Sequence, residues 1–592
     1  MESHTPPPIP GAGSGLIATH LQQPAALAAI VTLLVVVAAV RAVLPGLYPP
    51  ASAPKPGCKP SPPRVPFWVP FLGHAPQMLL NTDGFLARLR DRYPEGVFSL
   101  RLCGKLHHFI HGPSMVTTLL NRPKTAVETP SSRVLVSNFG CSKQDQAHHA
   151  TMANETLSHF KHLMSEPGLS ELVSVTVMHV KRHIADLVTF NSRPADQADW
   201  ERSAGAELVE GPRGDEFVEA DLTELTRTFI AKTANCALYG TDFVDNFPDL
   251  WPLLWIFDDA FLLLAAKVPA WVPWPRLQRA RLAQRRILGF THEFNVAMDK
   301  HLRGEDPGVR WQDLDNVSAV VRARLETFQG QGLSIKARAS CDLALLWAMN
   351  ANANQLVPWM LFELYRDPVL LDEVREEIAP YVTVTQPKNE FGAAVWLPAE
   401  LEHLDLEGLV HKCPTLKAAY VETLRVYTGT WTMRRLNEDV VLDDRGRSEP
   451  YLLQKGTYAH VAQEMHQMDP EYFPDPREWR HERHLREHVD DEGVRTLVAD
   501  MGTVRPYGGG PAMCKGRTFA LREMLLYSAI IISFYDMQPP RGQSWEAPKT
   551  YKPVATRHPK TPIKVWIKRR EQPPGRQAEK DHGGMALDDA AL

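Results

Sequence analysis

The chain has 592 residues, 65 basic and 69 acidic, for a net charge of −4, and 44% of its positions are hydrophobic. That balance, with no clustering of basic and aromatic residues, leaves no electrostatic case for nucleic-acid binding. The seven cysteines, at 58, 103, 141, 236, 341, 413 and 514, are scattered and include no C-x-x-C pair, so neither a disulfide framework nor a zinc site is expected and a reducing compartment is.

Residues 1–23 form a short N-terminal tail. Residues 24–44 are apolar except for Thr32 and Arg41 and have about the length that crosses a bilayer, which predicts one membrane anchor. A cleaved signal peptide is the rival reading, but the apolar run is long and no basic segment precedes it. Arg41, Lys55, Lys59 and Arg64 follow the run, which places the large domain in the cytosol and the tail in the lumen. Residues 45–66 are proline-rich and predict a stiff linker. From 67 to 570 no repeat or linker is evident and a single catalytic domain is expected, although length alone would suggest three or four domains. The polar tail, 571–592, is expected to be disordered.

Within the large domain, residues 193–216 read as a polar, solvent-exposed loop. Residues 250–266 and 276–302 read as helices flanking a proline-rich loop with Trp271 and Trp274, side chains that suit either a membrane interface or packing on their own domain. Residues 343–361 carry no charge, so a second membrane span has to be weighed. Asn350, Asn352, Asn354, Gln355 and Pro358 favour instead a buried helix beside a cofactor. At about 100° per residue, Asn350 and Asn354 share a face while Asn352 points nearly opposite. The pairs His107–His108 and His148–His149, and His159 with His162, lack a convergent acidic or thiolate partner and are not read as metal sites.

Three segments carry chemistry. Glu422 and Arg425, in Glu422-Thr423-Leu424-Arg425, are three apart and share one helix face. An Asp-Pro-rich stretch runs from His466 to Arg483. Cys514 stands in Tyr507-Gly508-Gly509-Gly510-Pro511-Ala512-Met513-Cys514-Lys515-Gly516-Arg517, just before an apolar, helix-patterned run at 518–534. Glycines let backbone approach a flat cofactor, and a following helix turns its N-terminal N–H groups toward the sulfur; both favour a thiolate ligand. A lone cysteine is more often a small buried hydrophobe, so the reading leans on the two upstream segments.

Taken together, these segments resemble the cytochrome P-450 family, whose cofactor loop runs aromatic, two residues, Gly, three residues, Cys, one residue, Gly; here Tyr507, Gly510, Cys514 and Gly516. The resemblance covers roughly residues 62–570. It implies a mainly α fold with a minor β region, after a single N-terminal transmembrane helix. It implies heme, with Cys514 as the axial thiolate ligand of the iron, and a buried network of Glu422, Arg425 and Arg483 holding the cysteine loop beneath it. No Trp-x-x-x-Arg stands in the region 138–165, and Arg434 is the best candidate donor to a heme propionate.

The resemblance also implies partners. Electrons would come from NADPH through a separate membrane-bound reductase, docked on Lys515, Arg517 and Arg522 with Lys412 or Lys417. The enzyme would sit in the endoplasmic reticulum membrane as a single-pass protein with a cytosolic catalytic domain, and the loop with Trp271 and Trp274 would join two helices roofing the substrate pocket.

On its long helix the family commonly carries an acid followed by Thr, which help deliver the protons that split bound dioxygen. Asn352 and Ala353 stand there in this chain. Neither can ionise, so protons must come from ordered water or from the substrate, or not be needed. The stretch from Leu346 to Ala353, with Trp359, resembles the subgroup of sterol 7-alpha- and 12-alpha-hydroxylases and prostacyclin synthase, here as a fungal-type member. The implied activity is a monooxygenase that inserts one oxygen atom from dioxygen into a bulky lipophilic substrate (steroid, terpenoid, polyketide or fatty-acid derivative) in secondary-metabolite biosynthesis. The alternatives are a heme-thiolate isomerase or dehydratase acting without a reductase, and a non-catalytic heme-binding protein.

Overall fold

The computed structural model describes residues 61–572 apart from 68, 70, 124–126, 129–130, 267, 270, 388–396 and 445–449, together with Thr32, Val35 and Val36. The expected N-terminal tail, the anchor apart from those three residues, 45–60 of the expected linker and 573–592 of the expected C-terminal tail lie outside the described residues. Among the described residues no helix is long and apolar enough to cross a membrane. The architecture is mainly helical with a smaller share of strand. The chain divides into two compact units, Met1–Thr129 with Thr432–Met465, and Pro130–Trp431 with His466–Leu592.

The smaller unit is built on a five-stranded sheet in the order Val97–Leu102, Lys105–Ile110, Tyr458–Ala462, Trp431–Leu436, Val127–Glu128. Its first two strands form a tight antiparallel hairpin turned by Cys103 and Gly104, both at positive φ (47° and 81°), the twist that two-residue hairpins need. The histidine pair belongs to this sheet. His107 Nδ1 lies 2.8 Å from His460 Nε2, and His108 sits between Ser99 Oγ and Thr457 Oγ1. Burial pushes His107 down to about 4 and His108 to about 3, so both rings are neutral at physiological pH.

The larger unit is helical. Seven of its helices are named here: α1 Leu222–Tyr239, α2 Leu250–Asp259, α3 Pro275–Leu302, α4 Ile335–Asn350, α5 Ala353–Arg366, α6 Pro414–Tyr427 and α7 Arg517–Phe534. Helix α1 begins where the Asp221 carboxylate accepts the Thr223 N–H, and it ends at Gly240, which takes φ +81°. Helix α7 is apolar on nearly every side, as a helix surrounded by others must be, and its residues from Met524 to Phe534 are buried. A four-stranded antiparallel sheet, ordered Tyr535–Gln538, Lys564–Arg569, Glu216–Asp221, Glu207–Glu210, flanks this helical core.

Three local expectations are corrected. The stretch 193–216 is not an open loop: it holds the helix Asp199–Ser203 and the strand Glu207–Glu210, with Trp200 and Glu201 buried. Its acidity misleads because Glu201 faces inward and accepts the N–H groups of Thr189 and Ala198. The first of the helices expected at 250–266 and 276–302 ends at Asp259, and a short helix, Phe261–Ala265, follows; the Arg276 guanidinium donates to the Asp259 carbonyl. The uncharged run 343–361 is largely buried, with Ala348 exposed, but is two helices, α4 and α5, broken at Ala351–Asn352.

Candidate active site

Cys514 is exposed, whereas the other described cysteines of the larger unit, Cys141, Cys236, Cys341 and Cys413, are buried. Burial pushes Cys141 up to about 11 and the other three to about 12, which leaves them protonated and inert. The loop that presents Cys514 is closed by its own N–H, which donates to the Tyr507 carbonyl at 3.0 Å, and by the Gly508 and Met513 N–H groups, which donate to Arg505 and Gly510. Gly508 and Gly510 take φ of +71° and +63°, so side chains at these two positions would be strained. At Gly516 an added Cβ would lie an ordinary 3.9 Å from the Cys514 sulfur. The loop is fixed at both ends. Tyr507 and Tyr420 of α6 share a hydrogen bond of 2.6 Å between their hydroxyls, and Arg517, the first residue of α7, donates to the Cys514 carbonyl.

The structure brings Glu422, Arg425 and Arg483 together. All five N–H groups of Arg425 are used: two on Glu422, at 2.7 and 2.8 Å, and three on the carbonyls of Gln467, Pro476 and Glu478. Glu422 also accepts from the Arg480 N–H, from Arg483 Nε at 3.1 Å and from His484 Nε2 at 2.8 Å. Burial alone would push its carboxyl up, but the hydrogen bonds from Arg425 and His484, with the Arg425 charge, outweigh that and hold it below the usual range. The Asp-Pro-rich stretch supplies most of the carbonyls because prolines keep it out of any ladder, leaving its C=O groups free to turn onto the guanidinium groups. His466, in the same stretch, bonds Thr503 Oγ1 at 2.7 Å. His484 belongs to the network and nothing in its sequence spacing singles it out.

At the α4–α5 break, the Thr556 hydroxyl donates to the Ala351 carbonyl at 3.2 Å. In a continuous helix that carbonyl would take the Gln355 N–H, which instead donates to Asn352. Asn352 becomes the residue before α5, at φ −121° and ψ −66°, and Ala353 the first of α5, buried. Asn350 and Asn354 meet, as a shared face requires: Asn354 Nδ2 donates to Asn350 Oδ1, which also accepts from Asn235 of α1. Asn350, Asn235 and Glu523 line one small cavity, where burial pushes Glu523 up to about 8.

Arg434 lies in the smaller unit, in the strand Trp431–Leu436. It is buried, its pKa pushed down by that burial, and its guanidinium donates to the adjacent Met433 carbonyl. Among the described residues it pairs with no carboxylate. Of the basic surface residues, Arg522 is held by Glu407 in a bidentate pair at 2.8 Å, which offsets its charge, whereas Lys417 donates to the neutral Val410 carbonyl and keeps its charge. Trp271 is 82% exposed and Trp274 44%, so the first does not pack on its own unit.

A family model for cytochrome P450 matches residues 241–565, more than half of the chain. Among similar proteins, the cytochrome P450 monooxygenase efuG of Hormonema carpetanum is 25% identical over 82% of this chain and 85% of its own length. A cytochrome P450 monooxygenase of Gibberella zeae is 24% identical, with 84% of each chain covered. The 25-hydroxycholesterol 7-alpha-hydroxylase of Rattus norvegicus is 26% identical over 65% of this chain and 83% of its own length.

Proposed function

The chain belongs to the cytochrome P450 family, and on that footing we propose that it inserts one oxygen atom from dioxygen into a bulky lipophilic substrate of the steroid, terpenoid, polyketide or fatty-acid class, in secondary-metabolite biosynthesis. The family uses heme held by a cysteine thiolate and draws electrons from NADPH through a reductase. The single observation that carries the reading is Cys514, an exposed thiol on a loop braced by Tyr507 and Tyr420, in a unit whose other described thiols are buried. Cys514 would hold the iron. When bound, the heme supplies the iron at which dioxygen is reduced and split. Glu422, Arg425, Arg483 and His484 would keep the cysteine loop in place.

A lipophilic substrate is supported by the sterol hydroxylase among the relatives and by the exposed Trp271, which suits a membrane face. The apolar run 24–44 supports a single-pass anchor in the endoplasmic reticulum membrane with the catalytic units in the cytosol. Of the basic residues expected to dock the reductase, Lys515 and Arg517, with Lys412 or Lys417, remain once Arg522 is assigned to Glu407.

The test is incubation of membranes containing the protein and a reductase with a lipophilic extract under isotopically labelled dioxygen, with and without NADPH, beside a Cys514→Ala control. Label entering a product only with NADPH and Cys514 establishes the monooxygenase. Asn352 and Ala353 favour a second reading, an isomerase or dehydratase that needs no delivered proton; a Cys514-dependent, unlabelled product formed without NADPH selects it. Heme binding without any product leaves a non-catalytic heme protein.

A further inference from the structure

Asn352 and Ala353 offer no acidic proton, yet splitting dioxygen consumes protons. The α4–α5 break is touched from elsewhere by a side chain that can carry one. The Thr556 hydroxyl, which donates to the freed Ala351 carbonyl, lies 3.5 Å from His558 Nε2. The same nitrogen lies 3.8 Å from Asp258 Oδ2, at the end of α2. The other carboxylate oxygen of Asp258 accepts the Trp347 indole N–H at 2.7 Å, and Trp347 is one turn before Ala351 on α4, its ring stacked on Phe261. Asp258, His558 and Thr556 are all buried.

We propose that Asp258, through His558 and Thr556, delivers to the α4–α5 break the proton that Asn352 and Ala353 cannot supply. The inference rests on the monooxygenase reading. Asp258 gives its carboxylic proton to His558 Nε2 and becomes a carboxylate. The Nε2 proton passes to Thr556 Oγ1, whose own hydrogen moves on to a water at the Ala351–Asn352 step; that water passes a proton to the dioxygen being reduced, and a solvent hydronium restores the proton of Asp258. The 3.8 Å gap is longer than a direct hydrogen bond and closes by a small side-chain rotation or by one bridging water.

The surroundings suit the task. Burial pushes Asp258 up to about 7, against the Trp347 hydrogen bond and the Arg227 charge, so it holds an exchangeable proton at neutral pH. Burial, with Arg227, pushes His558 down to about 3, so the ring starts neutral, able to accept a proton and poor at keeping it. The other groups facing the trio are Asp259, whose charge raises Asp258, and Tyr551, whose ring meets His558 edge-on at 5.6 Å and whose hydroxyl donates to Asp259.

The test compares the full-length, heme-loaded enzyme with Asp258→Asn, which keeps an acceptor for Trp347, and Thr556→Val, which keeps the shape. Infrared difference spectra of the resting protein are expected to show a protonated buried carboxyl that titrates near neutrality, is lost in Asp258→Asn and survives in Thr556→Val. With reductase, NADPH and dioxygen, both variants are expected to release a several-fold larger fraction of their reducing equivalents as hydrogen peroxide, at unchanged heme content. A carboxyl band untouched by Asp258→Asn, or a wild-type peroxide fraction in both variants, overturns the relay. Wild-type enzyme that consumes no NADPH overturns the monooxygenase reading, and the relay with it, even where the band is present.

Discussion

Arg425 and Glu422 meet through two parallel hydrogen bonds, at 2.7 and 2.8 Å, and neither side chain reaches solvent. Two charges taken that far from water are tolerated only when every donor and acceptor finds a partner. Arg425 meets that condition by drawing three carbonyls from the segment that follows His466, and Glu422 by accepting from Arg480, Arg483 and His484. A pair one turn apart on α6 thereby fixes a stretch of chain some fifty residues downstream.

Removing either partner leaves the other buried and uncompensated. Arg425→Ala or Glu422→Ala is expected to cost about 3–5 kcal/mol and to yield protein without heme. Arg425→Lys is expected to fail as well, because an ammonium cannot reproduce the planar fork. Absorbance of the purified variants measures heme per chain; full occupancy in Glu422→Ala would refute the role given to the network.

The Tyr420–Tyr507 pair ties α6 to the cysteine loop. Truncating one hydroxyl orphans the other in a buried setting, so Tyr420→Phe and Tyr507→Phe are each expected to cost about 1–3 kcal/mol. The double variant is expected to cost less than the sum, since it leaves no orphan. Denaturant unfolding of the four proteins gives the coupling; strict additivity would mean that the two hydroxyls do not interact.

Glu523 makes stability depend on pH. Between about 4.5, its ordinary value, and about 8, the folded chain keeps a proton that the unfolded chain has lost. Raising pH through that window weakens the fold by up to about 1.4 kcal/mol per unit for this one proton, and the full penalty stands above pH 8. Asp258, pushed up to about 7, adds a slope of the same sign. Glu523→Gln is expected to flatten part of the decline and to be more stable than wild type at pH 9, read as melting temperature against pH. Parallel curves for the two proteins would exclude it.

Trp271, at 82% exposure, has its apolar ring in water unless a lipid face covers it. In a form lacking residues 1–44, Trp271→Glu with Trp274→Glu is expected to lower co-sedimentation with liposomes. Unchanged binding would assign the loop to solvent.

What could be read from the chain beforehand was local. Glu422 reaches Arg425 because one turn of helix separates them, and Asn350 and Asn354, four apart, meet even though the helix breaks between them. The features that were not legible depend on partners far along the chain. Thr556 takes the Ala351 carbonyl at the helix break from 205 residues away, and Glu407 removes Arg522 from the free charges across 115. His484, one of 23 histidines, earns its place only through the fold. Glu201 reads as a surface acid because composition records its charge and not the N–H groups it faces.

The strand Lys564–Arg569 lies between Glu216–Asp221 and Tyr535–Gln538, two segments more than three hundred residues apart in order of synthesis. The order in which the ribosome makes the chain therefore runs against the order in which this sheet can close. Until Lys564–Arg569 has been made, Glu216–Asp221 keeps one edge of backbone N–H and C=O groups unmatched, and an unmatched edge pairs with whatever strand is near. The nascent protein thus passes through a long interval in which it is most prone to associate with other chains, and the last few residues of the catalytic region end that interval.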